Sequence, residues 1–322
     1  MSELLSVDDL KQYFYSGKGI FNKGYVVHAV DGVSLSVNKG ETLGLVGESG
    51  CGKSTLGRSL LKLFEPTSGR IFFEGQDITH LGNKEMRSLR QEMQIIFQDP
   101  TESLNPRHTI EMILEEPFVI HSVGTKEERK QWVEELLIKV GLPISAATRY
   151  PHEFSGGQKQ RIGIARAIAL KPKLIVCDES VSALDVSVQA QIVNLLLALQ
   201  REMNLALIFI AHDLSVVKHI SDKVAVMYLG KIVEYGDSET LYHFPKHPYT
   251  EALLSAIPVP HPRFRGKKRI ILTGDVPSPI SPPKGCRFST RCPKAEKQCF
   301  KEEPQRKILN NAGHEVACHL YK

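Results

Sequence analysis

One short segment, Gly47-Glu48-Ser49-Gly50-Cys51-Gly52-Lys53-Ser54-Thr55, constrains this chain more than any other. It fits G-x-x-x-x-G-K-[ST], follows the apolar run Thr42-Leu43-Gly44-Leu45-Val46, and precedes a helical pattern from Ser54 to Leu63. A strand, a glycine-rich turn and a helix in that order aim backbone N–H groups and a helix N-terminus at one point, where phosphate oxygens bind. Lys53 is placed to neutralise β- and γ-phosphates, and the Ser54 hydroxyl to ligate Mg²⁺. Gly47, Ser49, Gly50, Gly52 and Thr55 complete the cradle. The plainer reading is a glycine-rich turn ahead of a helix. The Lys-Ser pair and the preceding strand argue against it. Cys51 occupies a variable position and reads as a small space-filler.

A second apolar run, Leu174-Ile175-Val176-Cys177, ends in Asp178 and Glu179. Carboxylates at the C-terminal edge of a parallel strand face the crevice where open α/β sheets bind ligands. Asp178 suits the metal and Glu179 suits the attacking water. A solvated acidic turn is the bland alternative, weakened by the phosphate loop upstream. Gln98 follows Ile95-Ile96-Phe97, so another strand end presents an amide to metal and water. His212 follows Leu207-Ile208-Phe209-Ile210-Ala211; a lone histidine there is usually packing or surface, but this order favours a γ-phosphate contact. Phe154-Ser155-Gly156-Gly157-Gln158 opens a helix from about Lys159 to Leu170, a second glycine-rich N-terminus able to bind anions. The chain therefore reads as an α/β protein that binds and hydrolyses a nucleoside triphosphate with Mg²⁺.

This set resembles the ATP-binding cassette family, a P-loop NTPase fold. The resemblance rests on Gly47 to Thr55, Gln98, Phe154 to Gln158, Asp178-Glu179, Ser182-Ala183-Leu184-Asp185 and His212. It implies a head-to-tail dimer in which Ser155 and Gly157 serve the partner's ATP and Asp185 lies across the interface. It also implies an aromatic that stacks on adenine upstream of the loop. Tyr13, Phe14, Tyr15, Phe21 and Tyr25 are on offer, and Tyr13 sits best, with an insertion from about Ser16 to Lys23 complicating the choice.

At 322 residues, 42% hydrophobic and 24% charged, the composition is that of an ordinary soluble globular protein. No apolar run approaches the ~20 residues that span a bilayer, and the start carries no signal segment. A net charge of +5 does not demand nucleic acid. Residues 1–100 and 163–240 read as the nucleotide-binding core with an antiparallel β portion. Residues 101–162 read as a helical subdomain, with helices at Thr109 to His121 and Lys126 to Val140, stopped by Gly141-Leu142-Pro143. Residues 241–322 form a proline-rich extension. Its basic run, His261 to Arg269, reads as a solvated linker or a weak membrane contact.

Cys286, Cys292, Cys299 and Cys318 fall in this extension as C-x5-C-x6-C-x18-C. In a reducing compartment stable disulfides are disfavoured. Zinc, an iron–sulfur cluster or unrelated free thiols remain, with His314 and His319 as substitute ligands. His247-Pro248-Tyr249-Thr250, Gly274 to Pro279, Arg149 to Glu153 and the cysteine tail resemble the oligopeptide/dipeptide importer ATPases, second of two types. That resemblance implies a [4Fe–4S] cluster on the four cysteines, with zinc as the lesser alternative. It further implies a paralogous ATPase partner (a heterodimer, or a homodimer in isolation), two permeases and an extracytoplasmic solute-binding protein. The place of work would be the cytoplasmic face of the cell membrane, with no nucleic acid. A soluble nucleic-acid ATPase with a cysteine-rich tail is the alternative of another class. An exporter ATPase is a third, disfavoured by the importer-like tail.

Overall fold

The computed structural model describes residues 2–17, 24–257, 269–309 and 313–321. Phe21 and most of the basic run lie outside them. The chain divides into two compact units, Leu81–Ile210 and Ser2–His80 with Ala211–Lys322.

The unit that carries residues 2–80 starts with β1 (Glu3–Tyr15), β2 (Val26–Asn38), β3 (Thr42–Val46), α1 (Lys53–Leu60), β4 (Ser68–Phe73) and β5 (Gln76–Asp77). β2, β1, β4 and β5 form an antiparallel sheet in that order. β1 buries Leu4, Leu5, Val7 and Leu10 and exposes Asp8 and Asp9, the alternation being interrupted where its register shifts. All five residues of β3 are buried, the signature of a strand covered on both faces.

The other unit holds α2 (Asn83–Leu89), β6 (Met93–Ile96), α3 (Pro100–Ser103), α4 (Ile110–Ile120), α5 (Lys126–Lys139), α6 (Gly156–Ile168), β7 (Leu174–Asp178), α7 (Val186–Met203) and β8 (Ala206–Ala211). β6, β7 and β8 run parallel, with Ile95 beside Val176 and Val176 beside Ile208. β7 and β8 are wholly buried, so each apolar side chain there contributes about 1.5–3 kcal/mol. α5 opens on a capping box: the Thr125 hydroxyl accepts the Glu128 N–H, and the Glu128 carboxylate accepts the Thr125 N–H at 2.7 Å. The helices expected at Thr109 to His121 and Lys126 to Val140 are α4 and α5, within a residue or so at each end.

The first unit resumes with α8 (Leu214–Ile220), β9 (Lys223–Tyr228), β10 (Lys231–Asp237), α9 (Ser238–His243), α10 (Pro248–Ser255), β11 (Lys307–Ile308) and β12 (Glu315–Val316). β9 lies parallel to β3, and β10, β12 and β11 continue antiparallel outward. The C-terminal segment thus extends the sheet that contains β3, pairing through β12 with β10. Among the described residues no helix is long and apolar enough to cross a membrane.

Candidate nucleotide site

The loop between β3 and α1 has a conformation that only glycine supplies at two points. Gly52 sits at φ +106°, and a Cβ there would lie 2.1 Å from the Ala29 carbonyl oxygen. At Gly47 the clash would be with the Met227 carbonyl at 2.2 Å. The chain closes tightly on its own core on that side, while a Cβ at Gly50 would meet nothing within 4 Å. No side chain caps α1 and no acid stands in its first turn, which keeps that helix end suited to an anion. Lys53 is buried, and its Nζ donates to the carbonyls of Gly47 at 2.8 Å and Glu48 at 3.0 Å. Ser49 is exposed; Ser54 and Thr55 are half-buried in the first turn of α1. Cys51 is buried, and burial pushes its thiol pKa up, in keeping with a space-filler.

Tyr13, the aromatic expected to stack on adenine, is half-buried in β1. Its ring lies 4.4 Å from that of His28, and its hydroxyl donates to Asp31 at 2.5 Å. Burial and then the Asp31 hydrogen bond raise its pKa. Phe14, the next residue, is 37% exposed and rests edge-on against Phe64 at 5.4 Å. Tyr15 and Tyr25 are more open still, at 68% and 48% exposure. His212 is exposed just past the end of β8, in the unit that carries the loop.

In the other unit the geometry brings two of the expected residues together: Gln98 Nε2 donates to Glu179 Oε2 at 3.0 Å. Glu179 sits at φ +46°, a conformation that costs a non-glycine residue on the order of 1–2 kcal/mol. Its N–H donates to the Ile210 carbonyl at 3.0 Å, and its own carbonyl accepts the Ser182 hydroxyl at 2.9 Å. Such strain, held by neighbours, re-aims a side chain off the end of its strand. Asp178, one residue earlier, is buried. Ser155 is the N-cap of α6: its hydroxyl accepts the Gln158 N–H, and the Gln158 amide oxygen accepts the Ser155 N–H at 3.0 Å. Gly157 follows in the first turn, and Asp185 stands at the N-cap position of α7 without a side-chain capping bond.

The metal expectation for the tail is corrected. Among the described residues no group of three or more His, Cys, Asp or Glu side chains could hold a metal ion. Cys286, Cys292, Cys299 and Cys318 are free thiols, and neither a [4Fe–4S] cluster nor zinc is supported. Burial pushes Cys286 up to about 11 and also raises Cys292 and Cys318. The Cys299 sulfur accepts the Glu296 N–H at 3.4 Å.

What the sequence reading missed sits between those cysteines. Arg291 forms a two-pronged ion pair with Glu48 of the phosphate loop, Nη1–Oε2 2.6 Å and Nη2–Oε1 3.1 Å. Arg287 pairs with Asp31, the acceptor of the Tyr13 hydroxyl. Tyr249 accepts the Glu48 N–H at 2.8 Å. The available signal was Glu48 itself, an acid inside a phosphate cradle that requires a cation from elsewhere.

The ABC transporter family matches residues 30–182, and the oligopeptide/dipeptide transporter C-terminal region matches residues 233–299. An oligopeptide transport ATP-binding protein of Bacillus subtilis, AppF, is 56% identical over 99% of this chain and 97% of its own length. The oligopeptide transport ATP-binding protein OppF of Escherichia coli is 52% identical over 98% of this chain and 95% of its own. Among solved structures, the dimeric post-hydrolysis state of the ATP-binding cassette MJ0796 with ADP and Pi superimposes with TM-score 0.65. It is 26% identical and covers 73% of this chain and 99% of that one. Nothing in these matches favours the nucleic-acid alternative. The chain belongs to the ABC transporter family, among its oligopeptide-transport ATP-binding proteins.

Proposed function

We propose that this subunit couples ATP hydrolysis to peptide import with the following division of labour. Gly47, Ser49, Gly50, Gly52, Lys53, Ser54 and Thr55 bind the phosphates. Glu179 orients and polarises the attacking water, held in place by Gln98, and His212 contacts the γ-phosphate. Ser54, Gln98 and Asp178 are hard oxygen donors of the kind Mg²⁺ accepts, and would hold it. When bound, the ion neutralises phosphate charge that develops during transfer. Tyr13 would stack on adenine, with its hydroxyl anchored on Asp31. The Gln98–Glu179 hydrogen bond carries this reading, because it joins the two residues that chemistry requires around the water.

Importer ATPases of this family work with membrane permeases, peripheral to the cytoplasmic face. The finer assembly we propose is a head-to-tail pair with a paralogous ATPase, each chain's Ser155, Gly157 and Asp185 closing on the other's nucleotide, above two permeases that receive solute from an extracytoplasmic binding protein. The helical segment 101–162 is the candidate surface for the permeases. Gentle solubilisation of membranes from the source cells should yield this chain with two permeases and a second ATPase. Recovery as a partner-free chain would contradict the assembly.

A further inference from the structure

We infer that Arg291 is a positioning residue of the phosphate loop: by neutralising Glu48 it sets how tightly the loop accepts a polyphosphate. The inference rests on the reading of Gly47 to Thr55 as the nucleotide loop. Within those residues Glu48 is the one acid and Lys53 the one base, so the loop alone carries no net charge toward a tetra-anionic ligand. Arg291 restores a positive balance from a place in the sequence unrelated to the motif.

The arrangement is built rather than incidental. The Arg291 guanidinium engages both Glu48 carboxylate oxygens at 2.6 and 3.1 Å, the planar fork that arginine alone provides. Its side chain is 8% exposed and that of Glu48 29%, so water screens the pair only in part. Glu48 is gripped a second time through its main chain, whose N–H donates to the Tyr249 hydroxyl at 2.8 Å. Both grips stand on one aromatic cluster. Tyr228 lies 4.7 Å from Tyr249 and 5.2 Å from Phe288, with Tyr249 and Phe288 5.3 Å apart, all three fully buried. β9, α10 and the C-terminal segment each supply one ring. Arg291 is held charged first by its hydrogen bonds to Glu48.

Removing the guanidinium leaves Glu48 offset only by Lys53, so the loop again presents no net positive charge to the phosphates. The test is MgATP affinity and steady-state hydrolysis by the full chain. Arg291→Met keeps the long stem against Tyr228; it should weaken ATP binding roughly tenfold and raise KM, with kcat within about twofold. Arg291→Lys keeps charge without the fork and should lose roughly threefold. Adding Glu48→Gln to Arg291→Met should restore most of the affinity, because the repelling charge is gone, and the Arg291→Met deficit should shrink at high salt. Wild-type affinity in Arg291→Met overturns the inference. So does a deficit that Glu48→Gln fails to rescue and salt fails to shrink, since that marks a packing role. If Arg291→Met does not fold, the Arg291→Lys series with and without Glu48→Gln decides by the same rescue. A wild-type chain that binds no ATP removes the nucleotide reading and the inference together.

Discussion

The phosphate loop and the C-terminal segment belong to one unit and are ordered in opposite ways. The loop takes its shape from contiguous residues: glycines at positive φ, a buried strand before, a helix after, and Lys53 closing back on the carbonyls of Gly47 and Glu48. The C-terminal segment has little regular structure of its own. Its order comes from partners far away in the chain, Arg287 to Asp31 and Arg291 to Glu48, and from Phe288 among the rings of Tyr228 and Tyr249. A motif advertises the first kind of order, and the second becomes visible only when distant residues meet. The two kinds converge on Glu48.

The most severe way to break the comparison is Phe288→Ala. Deleting a fully buried ring should cost about 4 kcal/mol by cavity formation; chemical denaturation would measure it. ATP affinity should fall as well, because the same ring packs on Tyr249 and Tyr228, whose hydroxyls meet the Glu48 N–H and Arg291. Unchanged affinity in a folded Phe288→Ala would show that the loop stands without the segment.

Acid should loosen the segment next. His247 caps α10, its Nδ1 accepting the Tyr249 N–H at 3.1 Å, and burial pushes its pKa down to about 4 despite Glu234 nearby. Glu234 in turn meets His314 Nε2 at 2.7 Å and the N–H groups of Lys246 and His247. Because the folded value lies below the ordinary 6.5, the unfolded chain binds the extra proton first. The stabilisation is therefore complete above pH 6.5 and is lost as pH falls from 6.5 toward 4, by up to about 3 kcal/mol. Urea midpoints at pH 7.5 and 5 should differ less in His247→Gln than in the wild type. An equal difference would remove His247 from the account.

Changes on the loop should act on ligand rather than fold. Lys53→Ala should weaken ATP binding roughly a hundredfold with little change in thermal midpoint, as isothermal titration and calorimetry would show. The smallest effect belongs to Lys294→Ala, whose pair with Glu251 at 2.8 Å is on the surface. Less than about 0.5 kcal/mol is expected there. A larger loss would mean that the segment relies on surface charge as well as its ring cluster.

These contrasts explain what could be read in advance. The strand–loop–helix unit was legible because its periodicity and glycines are local. The end of β7 was legible as a pair of acids, although the left-handed turn at Glu179 was not. α6 begins at Gly156 rather than near Lys159 because the Ser155–Gln158 capping box recruits the glycines into its first turn. α10 hid inside a proline-rich stretch, though His247 with Pro248 at its first position is a sound helix start. Tyr13 and Phe14 could not be told apart because β1 shifts register between Gln12 and Tyr13, which obscures the alternation of faces. The cysteines drew attention by spacing and resemblance. The arginines flanking them carry the contacts, and pairing partners more than two hundred residues away leave no local trace.

The central claim is that this chain hydrolyses ATP with Glu179 acting on the water beside Gln98. Single-turnover phosphate release by Glu179→Gln, measured beside its MgATP affinity, tests that most directly. The account predicts affinity close to wild type and turnover lower by at least a hundredfold, the scale of a lost general base, with the closed dimer accumulating. Hydrolysis at the wild-type rate would contradict it.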